Sequence, residues 1–351
     1  MAAAMAANAY YTEEVHGPHE YLDLGGFVLQ SGYTLPDARL AYKTRGTLND
    51  AKDNAILLPH MYTGTAAFME TFIGEGRPLD PDKWFLILPA QIGSGFGSSP
   101  STTPPPWDRG AFPPVSVADD VAAQHRLVRE HLGIEQLALV SGWSMGGMQT
   151  YEWAVRHPEM LSRAVPFAAN ARTPDHCRVF CDLHMEALRS DPAFAGGFYE
   201  RSSDVALGLR RHAQAFALVG ATPDMYRERA WSELGFASYD DFVKGFVHAY
   251  FLPMDPNNLL CQARKWRDGD IGWAPGDDTA SALARITAAT TVVAFKGDQF
   301  FPPENMEDDA RLVPNATFKI LGSVWGHFTM FCLREEDTAE IDAVYAEVLA
   351  S

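Results

Sequence analysis

Short apolar segments alternate with amphipathic helical segments along much of this chain, and that alternation constrains the fold more than any other feature of the sequence. Residues 55–59 (AILLP) and 84–89 (WFLILP) are continuous apolar runs, as expected of strands that are covered on both faces. Residues 116–132 predict a helix, because Ser116 is a suitable N-cap and Asp119 stands at the capping-box position. Alternation of this kind predicts βαβ units and a mostly parallel sheet flanked by helices.

The alternation stops near the middle of the chain. Mainly helical patterns, rich in aromatic residues, replace it until strand patterns return at residues 291–295. We therefore predict one α/β core domain formed by residues 1–170 and 290–351. A helical cap is predicted to be inserted into it at residues 171–289, which we call the cap segment.

The composition argues against several classes of protein. The chain has 351 residues and a formal net charge of −17. Such a charge repels the phosphates of nucleic acids and anionic lipids, so neither partner is expected. No apolar run approaches the roughly 18–20 residues that a membrane span needs. The four cysteines form no C-x-x-C pair, which is typical of a reducing, cytoplasmic location.

The strongest local motif is Gly142-Trp143-Ser144-Met145-Gly146, which fits the pattern G-x-S-x-G. It follows a strand predicted at residues 136–141 and begins a predicted helix, which is the context that a nucleophile elbow requires. Glycines are needed there because the tight turn leaves no room for a Cβ. A glycine-rich turn also matches this pattern by chance, so the motif needs partners elsewhere in the chain.

Two later residues supply such partners. Asp298 follows the strand predicted at residues 291–295, and His327 follows one predicted at residues 317–321. Taken singly, an aspartate after a strand is usually a turn residue and a loop histidine is usually inert. The order Ser144, Asp298, His327 is, however, the order of nucleophile, acid and base in α/β-hydrolases. We therefore predict these three residues as a catalytic triad in an α/β-hydrolase fold.

Such a triad predicts acyl chemistry through a covalent serine intermediate. His327 would take the Ser144 proton as the hydroxyl attacks an acyl carbon, and Asp298 would orient the imidazole. The oxyanion needs backbone donors, of which the Met145 N–H is one and an N–H from the loop at residues 60–64 is the other. This chemistry needs no metal ion or organic cofactor, and we expect neither.

The sequence resembles the homoserine O-acetyltransferase-like branch of the α/β-hydrolases over nearly the whole chain. The resemblance rests on segments that follow one another in the family's order: Leu40–Asn49, His60–Gly64, Gly93–Pro100, Ser144–Gln149 with Glu152–Ala154, Asp191–Pro192 with Gly196–Gly197, and Asp298 with Phe301–Glu304. The resemblance implies the same triad and assigns the second oxyanion donor to the Tyr62 N–H. It also implies a homodimer joined through the cap segment.

Two departures from the family's pattern bear on the substrate. The acetyltransferases carry an arginine ahead of the cap Asp-Pro and an aspartate directly after the catalytic histidine, which hold the carboxylate and ammonium of homoserine. Here those positions are Met185 and Phe328. A buried site without ionic partners desolvates a charged substrate at a cost, so a less polar small molecule is expected. We predict a substrate pocket that contains Met185 and Phe328 together with Met61 and Trp143.

The function predicted from these features is a serine hydrolase acting on an ester, amide or lactone of a small, fairly apolar substrate. The alternative is an O-acyltransferase of the acetyl-CoA type that uses an acceptor other than homoserine. Hydrolysis is favoured because both acceptor anchors are missing and no basic strip for the CoA phosphates is evident. A third possibility is a ligand-binding protein that keeps the fold without catalysis, and the intact triad argues against it.

Overall fold

The structure, a computed structural model, describes residues 8–350. Its strands are β1 (Glu20–Val28), β2 (Thr34–Arg45), β3 (Ala55–Leu57), β4 (Phe85–Pro89), β5 (Leu139–Trp143), β6 (Arg163–Phe167), β7 (Ala289–Phe295) and β8 (Ala316–Leu321). They form a sheet in the order β1-β2-β4-β3-β5-β6-β7-β8. The pairings of β2 with β1 and with β4 are antiparallel, and the remaining pairings are parallel.

Helices connect and cover these strands. They are α1 (Glu13–His16), α2 (Val117–His125), α3 (Met145–Arg156), α4 (Asp175–Arg189), α5 (Ala206–Gly220), α6 (Pro223–Glu228), α7 (Tyr239–Phe242), α8 (Ala249–Phe251), α9 (Pro256–Arg267), α10 (Thr279–Ala284), α11 (Pro303–Leu312) and α12 (Glu335–Ala350). Ser116 caps α2 as predicted: its hydroxyl accepts the Asp119 N–H at 3.2 Å, and the Asp119 carboxylate accepts the Ser116 N–H at 2.8 Å.

The apolar runs of the central strands fill two hydrophobic clusters. In β3, Leu57 joins the larger cluster and Ile56 the smaller one, and in β4 Ile87 and Leu86 divide in the same way. Successive side chains of a strand point to opposite faces, so a strand buried on both faces must be apolar throughout. The predicted fold class, a mostly parallel sheet flanked by helices, is confirmed.

The observed elements differ from the predicted ones where local signals are weak. No pattern singles out β6, because it is short and contains Pro166, which lacks the N–H that a central strand donates. Pro166 nevertheless pairs with Gly142 of β5. The strand predicted at residues 136–141 begins at Leu139 and continues to Trp143. Within the predicted helical cap, Arg229 adopts φ +55°, so α6 ends at Glu228.

The chain between β6 and β7 forms helices and turns, and α4 packs against both α5 and α9. The larger hydrophobic cluster contains cap residues such as Phe216 and Trp266 together with core residues such as Tyr62 and Met145. The predicted boundaries of core and cap stay a prediction, and residues 1–7 and 351 lie outside the described residues. None of the helices within residues 8–350 has the length and apolarity needed to cross a lipid bilayer.

Candidate active site

Ser144 lies on a sharp turn between β5 and α3. Its backbone has φ +55° and ψ −118°, a conformation that non-glycine residues rarely adopt. A Cβ on Gly142 would lie 2.2 Å from the Gly146 carbonyl oxygen, and one on Gly146 would lie 2.1 Å from the Pro59 carbonyl oxygen. Both distances are far inside van der Waals contact, so this turn requires glycine at both positions. Ser144 is the N-cap residue of α3, so it lies beside the first N–H groups of that helix, which have no acceptor within the helix.

Asp298 and His327 form a buried hydrogen-bonded pair. His327 Nδ1 lies 2.7 Å from Asp298 Oδ2. The other carboxylate oxygen, Oδ1, accepts the backbone N–H groups of Phe300 at 2.8 Å and Phe301 at 3.1 Å. An ionised carboxylate only accepts hydrogen bonds, so Nδ1 carries the imidazole proton and Nε2 keeps the lone pair of the neutral ring.

The sheet brings Ser144 to the edge where this pair lies. Ser144 follows β5, Asp298 follows β7 and His327 follows β8, and the carboxyl ends of parallel strands meet at one edge. The structure joins Asp298 to His327 directly. Among residues 8–350, no hydrogen bond joins the Ser144 hydroxyl to the His327 ring. Two of the three predicted triad residues are thus bonded, and the third lies at the same edge.

A series of aromatic contacts connects the loop after β3 to His327. The Tyr62 ring lies 5.8 Å from Trp266, measured between ring centroids, and Trp266 stacks on Phe301 at 5.4 Å. Phe301 in turn lies 5.6 Å from His327. Because Pro59 at the start of the same loop faces Gly146, this loop contacts both the Ser144 turn and the surroundings of His327.

The backbone N–H groups of Tyr62 and Met145 are both unengaged. Met145 is the first residue of α3, whose N–H has no acceptor within the helix. Within the described chain neither Tyr62 nor Met145 donates its N–H to a protein acceptor. The Tyr62 hydroxyl, by contrast, donates to the Leu259 carbonyl at 3.1 Å, which ties the loop to the cap segment. The site therefore offers two free donors on the segments where an oxyanion hole is predicted.

A fully buried ion pair joins the cap segment to the core near this loop. Lys265 Nζ in α9 lies 2.6 Å from Asp120 Oδ2 in α2, and neither side chain has exposed surface. Lys265 also donates to the Ile92 carbonyl at 2.8 Å, and Asp120 Oδ1 accepts the Ile92 N–H at 2.8 Å. Each charge is thus compensated by its partner and by backbone groups, as a buried charge requires.

Gln91 extends this network to His60. Its Oε1 accepts from Lys265 Nζ at 3.4 Å, and its Nε2 donates to the His60 carbonyl at 2.6 Å. His60 Nε2 accepts the Gln91 backbone N–H at 3.2 Å, so Nδ1 carries the proton, which it donates to the Met61 carbonyl at 2.8 Å. Burial lowers the pKa of His60 to about 4, in agreement with a neutral ring. The residues before Tyr62 are therefore held by a continuous buried network.

The four residues predicted to line the substrate pocket lie in different surroundings. Trp143 has no exposed surface and stacks on Phe167 at 3.9 Å, so it is a core residue rather than the pocket residue that the sequence predicts. Met61 is buried in the smaller hydrophobic cluster and Met185 in the larger one. Phe328 is buried too, and it lines an apolar cavity of about 230 Å³.

The sequence alone does not indicate the buried network of Lys265, Asp120, Gln91 and His60. Lys265 lies in a helix whose neighbouring Arg264 and Arg267 are also basic, and nothing local separates it from them. The available signal is helical spacing, because Lys265 falls on the same face as Gln262 and Trp266, and that face is buried. Its partner Asp120 belongs to another helix, so only the folded structure pairs them.

Known proteins resemble this chain over nearly its whole length. The family model described as "alpha/beta hydrolase fold" matches residues 54–331. The chain is 46% identical to a protein named ethyl acetate hydrolase from Pseudomonas veronii, over 98% of this chain and 99% of the relative. A solved structure titled as an acetylester hydrolase from Corynebacterium glutamicum superposes with a TM-score of 0.97 at 39% identity, covering 99% of this chain and 100% of that one.

Transferases are among the relatives as well. A homoserine O-acetyltransferase from Leifsonia xyli is 32% identical, over 89% of this chain and 84% of the relative. The resemblance inferred from the sequence motifs is thereby confirmed. The chain belongs to the α/β-hydrolase fold family, in the branch that contains both homoserine O-acetyltransferases and acetyl ester hydrolases.

Proposed function

We propose that this protein is an ester hydrolase that works through a covalent acyl-enzyme on Ser144. The observation that carries the proposal is the buried Asp298–His327 hydrogen bond at the sheet edge where Ser144 directly precedes α3. The unengaged N–H groups of Tyr62 and Met145 support it, since they are the donors that an oxyanion needs. Ser144 is the nucleophile, His327 the base and Asp298 the orienting acid.

Acylation begins when His327 Nε2 removes the Ser144 hydroxyl proton as Oγ bonds to the ester carbonyl carbon. The carbonyl oxygen becomes an oxyanion that accepts the N–H groups of Tyr62 and Met145. The bond to the alcohol oxygen then breaks, and that oxygen takes the proton from His327. Asp298 stabilises the imidazolium between the two proton transfers. The alcohol leaves, and the acyl group remains on Ser144.

Deacylation repeats these steps with water. His327 takes a proton from water as the water oxygen bonds to the acyl carbon, and the same donors hold the oxyanion. The bond to Ser144 Oγ breaks and Oγ takes the proton back, which releases a carboxylic acid and the free enzyme. Both steps require hydroxyl and imidazole within about 2.6–3.2 Å, and sites without substrate often hold such pairs more loosely.

The proposed substrate class is a small acetic ester of an apolar alcohol. Relatives at 46% and 39% identity carry names that refer to ethyl acetate and acetyl ester hydrolysis. Met185 and Phe328 are apolar and buried, which suits an uncharged ester better than a zwitterionic amino acid. Acyl transfer to an alcohol other than homoserine is the less supported alternative, since the transferase from Leifsonia xyli is 32% identical.

The test compares wild type and Ser144→Ala with ethyl acetate, p-nitrophenyl acetate and acetyl-CoA. We expect hydrolysis of both esters, little CoA release, and loss of ester hydrolysis in Ser144→Ala but not in the surface control Ser190→Ala. A fluorophosphonate probe should label wild type and fail to label Ser144→Ala. CoA release that depends on an added alcohol or amine would favour acyl transfer instead. Absence of labelling in the folded wild type would favour a non-catalytic ligand-binding protein.

We also propose an oligomeric state and a cellular location for this protein. A homodimer through the cap segment is supported by Val179 and Leu183, which lie one turn apart on α4 and expose 69% and 52% of their surface. Sedimentation of Leu183→Glu against wild type tests it, with a monomer expected for the variant. A cytoplasmic location rests on the cysteine usage of the sequence, and the net charge of −17 argues against nucleic-acid or anionic membrane partners.

A further inference from the structure

An apolar cavity of about 230 Å³ lies between the cap segment and the loop that carries His327. Phe328 and Phe331, from the same turn as His327, form one side, and Phe216, Ala217 and Phe246 are among the cap residues that form the other. We call it the Phe328 cavity. We propose that it binds the alkyl group of the leaving alcohol, which makes an unbranched alkyl acetate the preferred substrate.

The walls of the Phe328 cavity hold almost no free polar group. Among the lining residues that the structure describes, Tyr250 is the one with a polar side chain, and its hydroxyl lies 2.9 Å from the Thr63 hydroxyl in a hydrogen bond. An alkyl group is stabilised when it moves from water into such surroundings. A charged or hydroxylated group would lose its hydrogen bonds to water and find no replacement for them. The ligand class is therefore an aliphatic chain.

Contacts at both ends of this cavity place it beside the proposed reaction centre. Phe216 lies 5.6 Å from Phe328 and 4.9 Å from Phe300, and Phe300 packs edge-on against His327 at 4.8 Å. At the other end, Tyr250 is bonded to Thr63, the residue after Tyr62. The cavity thus runs from the histidine turn towards the predicted oxyanion loop.

The position beside His327 selects the alcohol rather than the acyl group. In the proposed mechanism, on which this inference rests, His327 Nε2 gives its proton to the leaving alcohol oxygen. The alkyl group on that oxygen must therefore leave the reaction centre on the His327 side, where Phe328 and Phe331 lie. The Phe328 ring packs closely against Gly220, where a Cβ would lie only 2.2 Å from its Cε1.

Two ester series test the inference on the 351-residue chain. The first varies the alcohol from methyl to hexyl acetate, and the second varies the acid from ethyl acetate to ethyl hexanoate. We expect kcat/KM to rise about fourfold per methylene on the alcohol side until the cavity is full, and not along the acid series. Butyl acetate and ethyl butanoate are isomers, so their ratio isolates the position of the chain from its hydrophobicity.

Variants of the walls give a second readout. Ala217→Leu narrows the Phe328 cavity and should lower kcat/KM for butyl acetate at least tenfold relative to methyl acetate. Ala215→Leu, on the same helix but not among the lining residues, should leave the ratio unchanged. Phe246→Ala enlarges the cavity and should move the preferred alcohol to a longer chain.

The outcomes separate this inference from the proposed function. Hydrolysis of acetates with no dependence on alcohol length would overturn the alcohol assignment and leave the esterase proposal standing. A length dependence confined to the acid series, and removed by Ala217→Leu, would assign the cavity to the acyl group. Failure to hydrolyse any ester, together with no labelling at Ser144, would overturn both.

Discussion

The Lys265 ammonium of the cap segment lies 2.6 Å from the Asp120 carboxylate of the core, and both side chains are fully buried. In a low-dielectric interior each charge is stabilised mainly by the other. The pair therefore holds α9 against α2. Through Gln91 and His60 the same network reaches the loop that carries Tyr62. Removing one of the two charges should therefore lower the free energy of unfolding more than removing both.

We predict that Lys265→Met lowers the free energy of unfolding by about 3–5 kcal/mol, because it leaves Asp120 buried and unpaired. The double variant Lys265→Met with Asp120→Asn should recover most of that loss, since the amide still accepts the Ile92 N–H. Urea denaturation measures the free energy of unfolding of the single and the double variant. Arg311→Met, which removes an exposed ion pair with Glu307, is the control and should change stability little. Equal losses in the single and double variants would contradict this account.

A second prediction concerns the turn at Ser144. In Gly146→Ala the new Cβ would lie 2.1 Å from the Pro59 carbonyl oxygen, so the loop that carries Tyr62 must move away from the nucleophile. We expect kcat for ester hydrolysis to fall roughly 10²–10³-fold, the usual effect of losing one oxyanion donor. Gly322→Ala is the matched control, because no heavy atom lies within 4 Å of its added Cβ. An unchanged kcat in Gly146→Ala would separate this loop from the reaction.

Asp298→Asn tests the orientation of the base. The amide oxygen still accepts the N–H groups of Phe300 and Phe301, but the amide nitrogen now faces His327 Nδ1 as a donor. His327 then holds its proton on Nε2, where it cannot accept one from Ser144. We expect kcat to fall roughly 10⁴-fold with the stability little changed, and fluorophosphonate labelling to slow in parallel. Slow hydrolysis with labelling at the wild-type rate would argue against His327 as the base.

The sequence predicts the sheet and the positions of its chemistry because both depend on local patterns. Continuous apolar runs mark the central strands, and functional residues gather where parallel strands end, so Ser144, Asp298 and His327 stand out without coordinates. The family and the fold class, inferred on that basis, are confirmed. The catalytic roles of the three residues stay predictions until the variants above are measured.

Trp143 illustrates what sequence adjacency hides. It precedes Ser144 directly, yet alternation along β5 places it with Leu139 in the smaller hydrophobic cluster, whereas Val140 belongs to the larger cluster that the cap segment joins. Counting that alternation from a known strand boundary would have assigned its face. The boundary of β5 is set by its pairing with β6. The sequence does not indicate β6 as a strand, because Pro166 is unusual in a central strand.

The last prediction concerns acid stability and rests on three histidines with almost no exposed surface. Burial lowers the pKa of His60 to about 4 and that of His212 to about 3. It also holds the pKa of His184 well below its ordinary value. His184 Nδ1 lies 2.7 Å from His212 Nδ1. In the unfolded chain these groups titrate near pH 6.5. Below that pH these three groups bind more protons in the unfolded state than in the folded state, so their contribution to the stability of the folded state falls as the pH falls.

Each of these histidines should contribute a loss of about 1.4 kcal/mol per pH unit between about pH 6.5 and its own folded pKa, with the stabilisation complete above that window. Urea denaturation at about pH 7.5 and about pH 5 measures the change. His212→Gln should reduce the slope by the share of one histidine, whereas His176→Gln, at an exposed position on α4, should leave it unchanged. If His212→Gln keeps the full slope, His212 is protonated in the folded protein and the neutral pairing with His184 is wrong.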